Sequence, residues 1–192
     1  MAAEILKATS IVSKSGVQGT DGANITSLEF DDTDYVLATN NNTSIDVRVG
    51  FDTPTDSLTA AATQTITVIA RQFGEGQTGT PDITLEVWEA GGGAAIASNA
   101  AANVNTGDNT YTITFTDADT VDDTGAGLEL RMIGTKSGGS PGARNTVNLD
   151  FVKWDVDYTV SSGADDTLLS TLQDSGRSIG PGRANRLGGE LQ

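Results

Sequence analysis

The side chains of this sequence best suited to chemistry are its carboxylates, because the chain contains neither histidine nor cysteine. Without histidine it lacks the commonest general base and the commonest transition-metal ligand, and a serine or cysteine triad cannot be assembled. A glycosidase needs only two carboxylates flanking a cleft, but 26 acidic residues will always supply some such pair. We therefore predict no catalytic residue and a protein that is not an enzyme.

Two aspartate clusters offer the oxygen ligands that a calcium ion uses. The stretch "TDADTVDDTG" contains Asp117, Asp119, Asp122 and Asp123. An EF-hand loop would need a ligand where Val121 stands and a glycine where Asp122 stands, so that kind of site is excluded. The second cluster, "EFDDTDY", suits the capping of turns. We predict no metal and no cofactor, and an irregular calcium loop over 117–123 stays an open alternative.

The charge balance limits the classes of partner. Eleven basic residues against 26 acidic ones give a net charge of −15, and such a surface repels the phosphates through which nucleic acids are mostly bound. The first residues lack the basic start, apolar run and cleavage site of a signal peptide, and no apolar stretch has the length of a membrane span. We expect no nucleic-acid partner, no membrane and no export signal.

Apolar and polar residues alternate with period two in several segments, which is typical of strands with one buried face. Clusters of Gly, Asn and Asp separate these segments and suit turns. The fold class predicted is all-β, a jelly-roll-like antiparallel β-sandwich of about seven to nine strands with an extended C-terminal arm. The alternating segments are "SIDVRVGF", "TITVIA", "DITLEVWE", "NTYTITFTD" and "GLELRMIG", with "ITSLEF", "DYVLAT" and "AAIAS" as further candidates.

Composition divides the chain into three parts. Residues 1–24 are an N-terminal arm or lead-in strand, residues 25–160 form the sandwich, and residues 161–192 form a C-terminal arm. Within that arm, "ADDTLLSTLQDSG" predicts a short helix, with Asp165 or Asp166 as its N-cap and Gly176 as its stop. A helix of this length needs a surface to lie on.

The C-terminal arm is rich in Gly and Ser and poor in apolar residues, so by itself it cannot offset the entropy lost on ordering. We therefore expect it to lie along a neighbouring subunit or a larger shell; the alternative is that it folds back on its own sandwich. Leucines would anchor it and arginines would pair with acidic surface. The predicted partner-binding residues of the arm are Leu168, Leu169, Leu172, Arg177, Arg183 and Arg186.

The last strand candidate, "NLDFVKWDVDYTV", changes phase partway along. Leu149 and Phe151 share one face, whereas Val152 and Trp154 fall on the other. A β-bulge between Phe151 and Val152 would explain this change; alternatively, both faces are covered, one of them by the arm or a second copy. Trp88 also points away from the apolar face of its strand. Since interfaces favour aromatics, Trp88 and Trp154 are predicted partner-binding residues on outer sheet surfaces.

The order of strand types resembles the β-sandwich modules of tailed-phage virion proteins, of the decoration or fibre type. The resemblance covers roughly half of the chain and is a pattern of strand types without an invariant motif. It implies a virion location after synthesis in the host cytoplasm, a structural role, and a homo-oligomer with other virion proteins as partners. The stretches that carry it are 64–73, 82–92, 109–116, 127–134 and 146–159.

Three functions follow from these observations. The first is a non-enzymatic capsid decoration or cement protein, bound to the outer shell through its sandwich and arm. The second is a carbohydrate- or receptor-binding module of a fibre or adhesin, in which exposed aromatics stack on sugar rings. The third, a major shell protein of the jelly-roll type, is disfavoured because such proteins usually have a basic arm facing the genome and neither terminus here is basic.

Overall fold

Strands form in this protein where apolar and polar residues alternate. The computed structural model describes residues 2–29, 34–39, 43–59, 62–73, 79–89, 93–116, 127–137 and 146–158. Within these residues a helix, α1 (Asp21–Thr26), follows the first strand. The strands are β1 (Ala2–Ser15), β2 (Ile45–Phe51), β3 (Gln64–Phe73), β4 (Asp82–Glu89), β5 (Ala97–Ser98), β6 (Ala102–Asn103), β7 (Asn109–Phe115), β8 (Leu128–Thr135) and β9 (Thr146–Tyr158). All their pairings are antiparallel, which confirms the predicted β-sandwich.

Strand β1 belongs to both sheets of the sandwich. Its first part, as far as Lys7, pairs with β9, and its second part, from Ala8 onward, pairs with β2. Sheet A therefore has the strand order β1 (first part), β9, β3, β7. Sheet B has the order β1 (second part), β2, β8, β4, and both β5 and β6 pair with β4. Register shifts at Thr9 and Val12 bend β1 as it passes between the sheets, as bulges do at sandwich corners.

The core lies between the two sheets and is filled by alternate side chains of each strand. In β4, for example, buried and half-buried positions alternate without a break from Asp82 to Glu89. Trp154 of β9 is at the centre of this core with 0% of its surface exposed. Its ring centroid lies 5.8 Å from those of both Phe51 and Phe115. The prediction that Trp154 binds a partner on an outer sheet surface is therefore wrong.

A β-bulge in β9 accounts for the face on which Trp154 lies. Strand β3 pairs Ile69 with Phe151 and Ala70 with Leu149, which leaves Asp150 as an extra residue in β9. The bulge is confirmed, but it precedes Phe151 instead of following it. Phe151 consequently lies on the outer face, and the apolar residues at alternate positions after it join Leu149 in the core.

A short segment, residues 34–39, covers part of the β9 edge that β1 leaves unpaired. Val36 and Leu149 exchange two backbone hydrogen bonds of 2.6 and 3.2 Å, and the Ala38 N–H donates to Asn148 Oδ1 at 3.1 Å. All five residues from 146 to 150 are buried, so both faces of this part of β9 are covered and the segment contributes to the cover. The bulge and the two-sided burial thus occur together, although the cover seen among the described residues comes from residues 34–39, whereas the prediction named the arm or a second copy.

Two of the weaker strand candidates do not form strands. In "ITSLEF", α1 continues to Thr26 and a turn follows it; Leu28 is buried in the core, and Ile25 packs against the core partly buried. In "DYVLAT", Val36 and Ala38 form only isolated bridges. In "AAIAS", only Ala97 and Ser98 pair, as β5.

In the described part of the chain, no helix is long and apolar enough to cross a membrane.

Candidate functional site

The outer face of sheet B carries a cluster of charged side chains around Trp88. Alternation turns the apolar residues of β2, β4 and β8 toward the core and leaves their neighbours on the opposite face. The antiparallel register then places Arg131 of β8 opposite both Arg48 of β2 and Glu86 of β4. It also places Glu129 of β8 opposite Trp88 of β4. We call this cluster the Trp88 face. Its members are Asp46, Arg48, Glu86, Trp88, Glu129 and Arg131.

Arg131 is the centre of the hydrogen bonding on this face. Its Nε donates to Asp46 Oδ1 at 3.0 Å and its Nη2 to Asp46 Oδ2 at 2.6 Å, which makes a bidentate pair. Its Nη1 donates to Glu86 Oε2 at 3.2 Å. The hydrogen bond to Asp46, together with the negative charges of both carboxylates, raises the pKa of Arg131 above its ordinary value, although burial opposes this. Arg131 is therefore a fixed cation.

Trp88 is half-buried and is oriented by two of its neighbours. Its Nε1 donates to Glu86 Oε2 at 3.1 Å, and the guanidinium carbon of Arg48 lies 4.6 Å from the ring centroid. Arg48 is ion-paired with Glu129, and only 20% and 11% of these two side chains are exposed. The indole therefore packs against a largely buried ion pair, and a cation–π contact of this kind stabilises by about 0.5–2 kcal/mol.

The chemistry available on the Trp88 face is recognition by stacking and hydrogen bonding. An indole offers an apolar plane, while carboxylate oxygens accept and guanidinium nitrogens donate in fixed directions. Among the described residues, no group of three or more acidic side chains is placed to hold a metal ion. The calcium loop left open as an alternative, residues 117–123, lies outside the described residues, as do Asp31 and Asp32.

The structure separates the two predicted aromatics. Trp88 lies on an outer sheet surface, as its strand pattern indicated, whereas Trp154 lies in the core. Sequence reasoning missed the charged members of the Trp88 face as a site, although an acidic residue and an arginine at alternate positions in both "IDVRV" and "LELRM" are the signal that could have found them. The arm residues lie outside the described part: Leu168, Leu169, Leu172, Arg177, Arg183 and Arg186.

Two other surfaces are less suited to binding a ligand. An open depression of about 510 Å³ near the start of β1 is lined by Glu4, Ile5 and Asp157 among others, and its lining includes no aromatic side chain. Glu4 already accepts hydrogen bonds from the backbone and hydroxyl of Thr55. Tyr35 forms the second surface; it stacks with an arginine and belongs to the segment that covers β9.

The chain has the fold of an antiparallel β-sandwich, and comparisons with known proteins add only distant structural likenesses. No protein-family model matches it, and no curated protein matches it. A solved CBM4 structure is 16% identical over 65% of this chain and 76% of that one, with a TM-score of 0.35. The CBM22-1 xylan-binding domain of Xyn10C from Paenibacillus barcinonensis is 17% identical over 80% of this chain and 99% of that one, with a TM-score of 0.37.

A third solved structure is the enzymatically active domain of tailspike protein 4 of bacteriophage CBA120. It is 8% identical, covers 81% of this chain and 19% of that one, and has a TM-score of 0.38. Likeness at this level transfers neither a ligand nor an activity, so the function of this chain has to be inferred from its own residues.

Proposed function

We propose that this chain is a non-enzymatic recognition module that binds carbohydrate at the Trp88 face. The observation that carries the proposal is the half-buried Trp88 on the outer face of sheet B, with Arg48 against one side of its ring. A sugar ring would stack on the other side of the indole, while its hydroxyls would bond with the neighbouring carboxylates and guanidiniums.

Catalysis is not part of the proposal, because the carboxylates of the Trp88 face are already paired. Asp46 and Glu86 hold Arg131, and Glu129 holds Arg48. A glycosidase needs one carboxyl group to donate a proton and a second to attack or to activate water. Carboxylates bonded to arginines on an open sheet surface suit neither role, whereas they suit fixed hydrogen bonding to a ligand.

The test is the binding of a glycan array by the intact protein and its variants, followed by calorimetric titration of the best ligand. Trp88→Ala should weaken binding by about tenfold or more, the typical effect of removing a central aromatic. Phe151→Ala is the matched control, since Phe151 is a half-buried aromatic on the outer face of sheet A. Equal loss in both variants, or no glycan binding by the intact protein, would refute the proposal.

A second candidate is the capsid decoration or cement protein that the phage resemblance implies. Two exposed apolar side chains on β1 favour it: Ile5 is 62% exposed and Val12 is 47% exposed. Isolated exposed residues are common, but apolar side chains on a strand that joins both sheets suit contact with a shell. In co-sedimentation with purified empty capsids of a tailed phage, Ile5→Lys should reduce binding, and Ser98→Lys on exposed β5 should not.

The predicted arm has its own test within this second candidate. If removal of residues 163–192 leaves capsid binding at full affinity, the arm takes no part in it. Glycan binding that is lost in Trp88→Ala, without any capsid binding, would favour the carbohydrate module over the shell component.

A further inference from the structure

We infer that the ligand of the Trp88 face is a neutral glycan, and that uronic acid and sulfated glycans are selected against. This inference rests on the proposed function and adds the charge class of the ligand. It depends on how the five charged side chains of the face are already paired.

Both guanidiniums of the face already have carboxylate partners. Three nitrogens of Arg131 donate to carboxylates, two to Asp46 and one to Glu86. Arg48 is ion-paired with Glu129 and lies against Trp88. A carboxylate or sulfate on the ligand would therefore meet arginines whose positive charge is already balanced, and it could reach only the N–H groups that these pairs leave.

The charges that remain on the face are unfavourable to an anion. Three carboxylates, Asp46, Glu86 and Glu129, oppose two guanidiniums, which leaves a local charge of −1 within a chain whose net charge is −15. The binding of a ligand carboxylate about 4 Å from an unbalanced one is weakened about fivefold in water, which corresponds to about 1 kcal/mol, and by more where water is excluded. Recognition of an acidic glycan would instead use an exposed arginine fork or lysine.

Neutral hydroxyls match what the face still offers. An ionised carboxylate has about four lone-pair sites, so Asp46 and Glu86 keep acceptor capacity after bonding Arg131. A sugar hydroxyl can donate to these oxygens without carrying charge into the site. The indole plane of Trp88 supplies the apolar contact that the ring C–H groups need.

The experiment is a glycan array that holds neutral glycans beside uronic acid and sulfated counterparts of the same linkage. The best neutral ligand and its anionic counterpart are then titrated into the intact protein at about 0.01 M and about 0.15 M salt. We expect the anionic glycan to bind about tenfold more weakly or worse at low salt, with a smaller difference at high salt because ions screen repulsion. If no glycan binds, the proposed function fails and this inference with it.

If the anionic glycan binds as tightly as the neutral one, or more tightly, the inference alone is overturned and the carbohydrate module stands. A charge variant makes the test specific to the face. Glu86→Gln removes one carboxylate and keeps an oxygen for the Trp88 N–H. It should therefore narrow the difference in affinity between the neutral and the anionic glycan by about fivefold, which corresponds to about 1 kcal/mol. Asp155→Asn, on the outer face of sheet A, should leave the difference unchanged. An unaltered difference in Glu86→Gln, or equal narrowing in both, would also overturn the inference.

Discussion

Deleting Asp150 should leave the fold intact, whereas deleting Lys153, three residues further along, should abolish it. Asp150 is the extra residue of the bulge in β9. Without it, Leu149 and Phe151 become neighbours that already face opposite sides, so the ladder with β3 continues in its present register. Lys153 is an ordinary ladder residue, paired with both Lys7 and Thr67, and its loss turns every side chain on one side of the deletion to the opposite face.

The difference in free energy of unfolding can be worked out from the residues affected. Moving Trp154 out of the core costs about 3–5 kcal/mol, and moving Val156 out costs about 1.5–3 kcal/mol. The same shift would push Asp155 and Asp157 toward the core, at several kcal/mol for each buried charge. Since domains are stabilised by about 5–15 kcal/mol in total, the Lys153 deletion should not fold. The Asp150 deletion should cost about 1–3 kcal/mol, within the ordinary range for a buried change.

Urea unfolding followed by circular dichroism and tryptophan fluorescence measures both deletions. The Asp150 variant should show one cooperative transition and a fluorescence spectrum of buried indole, as in the parent protein. The Lys153 variant should show neither. Equal destabilisation by the two deletions would mean that Asp150 is required by the fold for more than its place in the bulge, and would refute this reasoning.

Three further predictions test the core and the segment over β9. The buried Trp154 Nε1 has no hydrogen-bond partner among the described residues. In denaturant unfolding, Trp154→Phe should therefore lower the free energy of unfolding by about 1 kcal/mol or less, whereas Trp154→Ala should lower it by about 3–5 kcal/mol. Equal costs would mean that the N–H is bonded. A methyl group on Gly134 would come within 2.6 Å of Ile45 in the paired strand β2 and within 2.7 Å of Val147 in β9, whereas one on Gly93 would meet nothing within 4 Å. Gly134→Ala should therefore lower Tm and cost about 1–3 kcal/mol, with Gly93→Ala as the neutral control. Burial and the hydrogen bond to Asp108 raise the pKa of Tyr35, which favours its neutral form in the folded state. The stability that Tyr35 contributes is complete below the unfolded pKa of 10.0 and is lost as pH rises through the folded pKa. The decrease in free energy of unfolding at alkaline pH should therefore be smaller in Tyr35→Phe than in the parent protein. An unchanged decrease would contradict the raised pKa of Tyr35.

The strands that could be predicted are those whose alternation is unbroken. The bounds of β4 match "DITLEVWE", because its apolar residues recur at every second position. Strand β1 could be given only as an arm or a lead-in strand, because extra residues at Thr9 and Val12 interrupt its pattern twice. The bulge at Asp150 had the same effect in β9, where it moved Phe151 outward and Trp154 inward.

The candidate site could be predicted in part. The outward position of Trp88 follows from the three apolar residues that alternate before it in β4. Its neighbours Arg48 and Glu129 come from strands that lie about 40 residues away in either direction, and only the sheet order and register bring them together. Local patterns predict the face on which a side chain lies, but they do not contain the pairing of distant strands.

The pairing of β1 with β9 has a consequence for synthesis on the ribosome. Ala2 lies beside Tyr158 in the ladder, so the start of the chain must wait for a partner that emerges roughly 8–30 s later at about 5–20 residues per second. Contacts this far apart in sequence also slow folding itself. During that interval the first part of β1 lacks its β9 partner, so we expect the nascent chain to present an unpaired strand edge to other chains until translation has passed residue 158.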